Sequence, residues 1–221
     1  MLFTDVVGST ELRQRLGDDA ADGLRREHDR VLRDAITAHG GTEVKGLGDG
    51  LMVVFDSAAE GVAAAMAMQR GMHRLAQRVQ GSLQIRVGLS AGDVSWEGAD
   101  CFGTPVVEAK RLCDVAAGSR IVASDIVRVL AGTRGGHQFV PVGPLELKGL
   151  GEPVVAFEVT WEPEPVAIPL PPLLVAAEAV PFVGRHEELE ALAAGWRTAV
   201  AGERRIVLLA GEPDRQDPPG W

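Results

Sequence analysis

Two aspartates stand where a strand gives way to a turn. Asp5 ends the apolar run of "FTDVVGST", directly before a helix start, and Asp49 lies between two glycines in "VKGLGDGLMVVF". Backbone N–H groups at such a helix start, here Val7, Gly8, Ser9 and Thr10, are free to hold phosphate oxygens. A carboxylate beside them repels phosphate unless a divalent cation stands between. A second carboxylate, on the Gly48-Asp49-Gly50 turn, completes a two-metal site if the two strands are neighbours. Magnesium suits this donor set, because it takes hard oxygen ligands and leaves positions to phosphate and water. Taken singly, Asp49-Gly50 is an ordinary hairpin turn and Asp5 a helix cap.

The elements that must position these residues follow from the apolar pattern. An opening strand leads to a helix beginning at Ser9 or Thr10. A second helix is expected to be capped by Asp18 or Asp19, with a helical period through Leu24, His28, Leu32 and Ile36 and a stop at Gly40-Gly41. The hairpin around Asp49 comes next, then a long helix capped by Ser57. Alternation over Leu83–Val94 predicts a strand. "GTPVVEAKRLCDVA" predicts a helix with Pro105 in its first turn. Short strands and a helix complete a domain over residues 1–160. Strands paired by hairpins and interrupted by long helices give an α+β class.

Five prolines in residues 163–172 mark residues 161–180 as a stiff, extended linker. Residues 181–221 read as a helix followed by a buried-type strand, "RIVLLAG", and are too few to bury a core of their own.

Composition narrows the partners. The net charge of −9 argues against a nucleic-acid-binding surface. Cys101 and Cys113 lack metal-ligand spacing and suggest a reducing compartment. No stretch has the length of a membrane span and no signal pattern opens the chain, so the expected location is cytoplasmic.

"FTDVVGST", "VKGLGDGLMVVF", "DCFGTPVVEAKRL" and the closing "LELKGLGEPVVAFEV" together resemble the class III adenylate/guanylate cyclase catalytic domain, over roughly residues 2–160. The resemblance implies a ferredoxin-like βαββαβ core and a head-to-tail homodimer with active sites at the subunit interface. It also implies ATP as substrate and two Mg²⁺ or Mn²⁺ ions per site. Asp5 and Asp49 match the metal-binding aspartates, with the Val6 carbonyl facing a metal. Lys45 and Asp100 match the pair that reads the purine, and Arg111 the arginine that stabilises the transition state. Adenine offers an acceptor at N1 and a donor at N6, which an ammonium and a carboxylate complement. A one-residue shift would instead put Cys101 in the base-reading position, as in many guanylate cyclases; Lys45 argues for adenine.

Val107 stands where the family carries a ribose-orienting asparagine. The alternative function is therefore a weakly active or inactive nucleotide-sensing or dimerising module. The family also carries more strand residues ahead of its first motif, so a short first strand is expected. The tail, through "FVGRHEEL" and "RIVLLAGEP", resembles the start of a P-loop ATPase domain of bacterial regulators. Gln216, Asp217 and Pro218 occupy the positions of the P-loop Gly, Lys and Ser/Thr. Residues 181–221 thus read as a frame-shifted ATPase remnant that cradles no phosphate.

Overall fold

The computed structural model describes residues 1–79, 83–163, 186–200, 204 and 206–208, with backbone alone at Thr10, Leu16 and Val200. The chain divides into two units, Met1–Pro165 and Val166–Trp221. The first half of unit one contains β1 (Leu2–Val6), α1 (Ser9–Leu16), α2 (Asp18–Ala38), β2 (Thr42–Gly46), β3 (Leu51–Val54) and α3 (Ala58–Arg78). Next come β4 (Ile85–Leu89), β5 (Ser95–Glu97), β6 (Asp100–Phe102) and α4 (Thr104–Val115). Last come β7 (Ile121–Ser124), α5 (Asp125–Ala131), β8 (Phe139–Leu145) and β9 (Val154–Val159).

Seven strands form one sheet in the order β2-β3-β1-β4-β7-β9-β8. Its first four strands are antiparallel throughout and connect as β1-α2-β2-β3-α3-β4, which is the expected βαββαβ core. β5 and β6 pair as a separate hairpin. The α+β class holds.

Alternation along β1 serves two layers. Leu2 joins Leu32 and Ile36 of α2 and Val62 and Met68 of α3 in the main core. Phe3 points the other way and packs in a second cluster with Met52, Cys101, Ala109 and Cys113. This is the period-two rule for a strand buried on both faces. Although short, β1 is held along its whole length: all five residues register against β4.

Local signals explain most helix limits. Ser57 Oγ accepts from the Glu60 N–H at 3.4 Å, capping α3. Asp18 and Asp19 do not cap α2. One residue, Gly17, separates the helices and takes that position. Asp18 and Asp22 instead accept from the Arg13 guanidinium at 3.2 and 3.0 Å. β4 also ends sooner than the alternation suggested, at Leu89, where its partners Leu2 and Ala123 run out. α4 lies directly on β4: a Cβ at Gly88 would fall 2.2 Å from both the Ala109 carbonyl oxygen and the Cys113 nitrogen.

The β2–β3 turn is pressed onto β1. A Cβ at Gly50 would stand 2.0 Å from the Thr4 carbonyl oxygen and 3.3 Å from Asp5 Cα. The buried Thr4 hydroxyl accepts from the Leu51 N–H at 2.9 Å and fixes the same contact.

In the second unit, α6 (His186–Val200) is the helix expected there. Residues 206–208 show no regular structure, with Ile206 and Leu208 each 89% exposed. Residues 164–180, most of the Pro-rich linker, lie outside the described residues, as do Gln216, Asp217 and Pro218. Among the described residues no helix is long and apolar enough to cross a membrane.

Gly50→Ala should therefore destabilise unit one by about 1–3 kcal/mol, because the methyl group must push two paired strands apart. Urea denaturation reads this directly, and an unchanged midpoint would contradict the close approach.

Candidate active site

The contact at Gly50 sets the turn that carries Asp49 against the backbone of Thr4 and Asp5. Gly48, with φ 89°, supplies the left-handed backbone that the turn requires, and the Leu47 N–H donates to the Gly50 carbonyl at 2.8 Å to close it. The turn is thus delivered onto the end of β1, beside Val6 and the start of α1. Ser9, the first residue of α1, donates its hydroxyl to Asp49 Oδ2 at 2.5 Å.

Asp5 already has a cation beside it. Arg86, directly opposite on β4, donates from Nε at 2.7 Å and from Nη2 to Asp5 Oδ2. Its Nη1 donates to the Asp114 carbonyl at 2.7 Å, tying the metal-candidate strand to the end of α4. Burial acts to lower the Arg86 pKa, but the hydrogen bonds and charge of Asp5 more than reverse it, leaving it raised. Arg86 was absent from the sequence-derived set. Its signal was a lone basic residue inside the apolar strand "QIRVGL".

The run of free amides is one shorter than the sequence suggests. The Val7 N–H donates to the Gln84 carbonyl at 2.9 Å, so it is not free. Gly8 is the N-cap of α1, and the N–H groups of the following turn, from Ser9 and Thr10 onward, have no intrahelical acceptor.

Lys45 and Asp100 meet across β2 and β6, Nζ to Oδ2 at 2.5 Å. The Lys45 hydrogen bond holds the Asp100 carboxyl below the usual carboxylate range. Cys101 is no base reader in this arrangement: its side chain is buried at 1% exposure among Phe3, Met52 and Ala109. Burial likewise pushes the Cys113 thiol up to about 12, which removes it as a nucleophile.

Arg111 is bonded within its own chain at the end of α4. Its Nε donates to the Lys148 carbonyl at 2.9 Å and Nη1 to Asp114 Oδ2 at 3.2 Å. Val107, one turn earlier on α4, is 42% exposed on the same face.

The donor set suits a hard divalent cation. One carboxylate lies near the end of β1, where Arg86 holds it, and the other on the turn between β2 and β3. Among the described residues no group of three His, Cys, Asp or Glu side chains assembles. An ion here would rest on the two aspartates, the Val6 carbonyl and a ligand, as magnesium or manganese tolerates.

Comparisons with known proteins bear on the family and the fold. A 35% identical relative over 161 residues is an uncharacterized Mycobacterium tuberculosis protein, matched over 73% of this chain and 41% of its own length. The chain thus spans less than half of that relative. A crystal structure of an adenylate/guanylate cyclase/hydrolase from Silicibacter pomeroyi is 27% identical with a TM-score of 0.63, covering 72% of this chain and 94% of that one. The adenylyl cyclase CyaB from P. aeruginosa is 25% identical, with a TM-score of 0.63, over 74% and 93%. Residues 1–159 match the family model for the adenylate and guanylate cyclase catalytic domain, and the chain belongs to that family.

Proposed function

We propose that residues 1–160 form an adenylate cyclase that converts ATP to 3′,5′-cyclic AMP and pyrophosphate at the interface of a homodimer. The observation that supports this reading is the Gly50 contact, which sets the Asp49 turn against the Asp5 backbone, with Ser9 at the start of α1 bonded to Asp49. Mg²⁺ or Mn²⁺ ions held by Asp5, Asp49 and the Val6 carbonyl would lower the pKa of the attacking ribose hydroxyl and neutralise triphosphate charge.

The chain's own groups have separate tasks. The N–H groups of Gly8, Ser9 and Thr10 hold phosphate oxygens, while Arg86 holds the Asp5 carboxylate in place. Lys45 donates to adenine N1, and Asp100 accepts from the N6 amine. Their mutual hydrogen bond keeps both heads at one place before the base arrives. Arg111 spreads charge over the phosphoryl group in flight, as a guanidinium fork can.

In this reading two copies share each site, and the intrachain contacts of Arg111 with Lys148 and Asp114 are its resting state. A second copy would bring its Lys45, Asp100 and Arg111 to the first copy's aspartates. Exposed apolar side chains next to site residues support this: Val7, Leu47, Phe102 and Val107 are 39–46% exposed. Val107 favours the second reading, a nucleotide-binding or dimerising module with little turnover, since valine offers the ribose no hydrogen bond.

Asp5→Asn and Asp49→Asn should each lower metal-dependent cyclic AMP formation by on the order of a hundredfold or more while the fold persists. Turnover near the wild-type rate in either variant would remove the two-carboxylate assignment. Mixing Asp49→Ala with Arg111→Ala should recover activity that neither has alone, because a heterodimer keeps one complete site. A mixture shown to contain heterodimers yet still inactive would count against shared sites. Val107→Asn should raise turnover roughly tenfold by restoring one positioning hydrogen bond. An equal or lower rate in the folded variant would place the ribose elsewhere.

A further inference from the structure

Each candidate aspartate has one oxygen bonded and one open. Arg86 donates from both Nε and Nη2 to the same atom, Asp5 Oδ2, and Ser9 donates its hydroxyl to Asp49 Oδ2. Neither Oδ1 has a donor among the described residues. Both aspartates are half-buried, and the one unpartnered side-chain polar atom that solvent fails to reach among these residues is His28 Nε2. Asp5 Oδ1 and Asp49 Oδ1 are therefore both accessible.

The groups that cover the two Oδ2 atoms are themselves fixed. Arg86 faces Asp5 in the β1–β4 register, and the Asp114 carbonyl holds its Nη1 at 2.7 Å from the other side. The guanidinium fork cannot swing off Oδ2 without losing that second bond. Ser9 opens α1 directly after the left-handed Gly8, and its hydroxyl meets Asp49 at 2.5 Å.

Hard divalent cations differ in what they ask of a carboxylate. Ca²⁺ takes roughly six to eight oxygens and accepts both oxygens of one carboxylate, whereas Mg²⁺ keeps a small octahedral shell completed by water and phosphate. Chelation through both oxygens of Asp5 would require Arg86 to release Oδ2, and at Asp49 Ser9 would have to do the same. The positive charge of Arg86 repels every divalent cation alike, so charge by itself does not discriminate between them.

We propose that Arg86 and Ser9 set the cation specificity of this site: by occupying Oδ2 of each aspartate they restrict both to one-oxygen ligation, which admits Mg²⁺ or Mn²⁺ and disfavours Ca²⁺. They act through Asp5 and Asp49 and are positioning residues. The inference rests on the proposed function, in that it takes the two aspartates as metal ligands.

Electron paramagnetic resonance of Mn²⁺ titrated into the full chain, with Ca²⁺ as competitor, tests it without turnover. Binding that disappears in Asp5→Asn defines the site. There Ca²⁺ should displace Mn²⁺ poorly from the unmodified chain. Arg86→Met and Ser9→Ala should each raise the affinity for Ca²⁺ relative to Mn²⁺ by roughly tenfold, because a second carboxylate oxygen becomes available. Arg86→Lys, which keeps the charge and a donor, should stay close to the wild-type ratio. The ratio is the readout because a loosened fold or an altered charge moves both ions together. An unchanged ratio in folded Arg86→Met or Ser9→Ala, or a preference for Ca²⁺ in the unmodified chain, would overturn the proposal while leaving the aspartates as ligands. No binding sensitive to Asp5→Asn would overturn it together with the metal assignment. Ser9→Ala, which keeps the backbone N–H at the helix start, decides the matter if Arg86→Met does not fold.

Discussion

The absence of a side chain at Gly50 is the constraint on which the candidate site depends. A β-carbon there would sit inside contact distance of the Thr4 carbonyl oxygen, so the turn and β1 can approach only through glycine. Everything that makes the corner chemically distinctive follows from that approach. Asp49 reaches the end of β1, Ser9 reaches Asp49, and the opening turn of α1 faces the same space. Opposite it, Gly88 performs the same service for α4, letting the helix that carries Val107 and Arg111 lie flat on β4. Two missing methyl groups thus let the Asp49 turn and the Arg111 helix each lie close on the sheet.

Most charges in this region are paired within the chain. Asp5 is matched by Arg86, Asp100 by Lys45, and Arg111 by Asp114 and a carbonyl. Partly buried carboxylates and guanidinium groups without such partners would be costly. Under the proposed function, incoming groups take over these roles. Adenine inserts between Lys45 and Asp100, and Arg111 exchanges its intrachain acceptors for phosphoryl oxygens. The resting contacts therefore hold each side chain near its place of work while adding an exchange step to substrate binding.

Much of this was legible in the sequence for a local reason. Asp5 and Asp49 are flagged by their immediate neighbours: an apolar strand, a helix start, a glycine on either side. Ser57 and Pro105 declare their helix positions within three residues. What escaped depends on register between distant segments. Arg86 faces Asp5 only because β4 pairs with β1 residue for residue, and the Val7 amide is spent on Gln84 through the same alignment. Asp18 and Asp19 looked like caps because their type is right. Arg13, one helix earlier, draws the Asp18 carboxylate away, and Gly17 fills the cap position instead. Cys101 against Asp100 could not be separated from spacing alone. The strand pleat separates them, sending one side chain into the core and the other to Lys45.

The central claim is that these residues cyclise a nucleotide with the help of a divalent cation. Phosphorus NMR and mass spectrometry of the products formed by the purified chain, given ATP or GTP with and without Mn²⁺, address it directly. The account predicts 3′,5′-cyclic AMP and pyrophosphate from ATP, formed only with the metal and faster than any product from GTP. Nucleotide returned intact under all four conditions, from protein shown to be folded and dimeric, would contradict it.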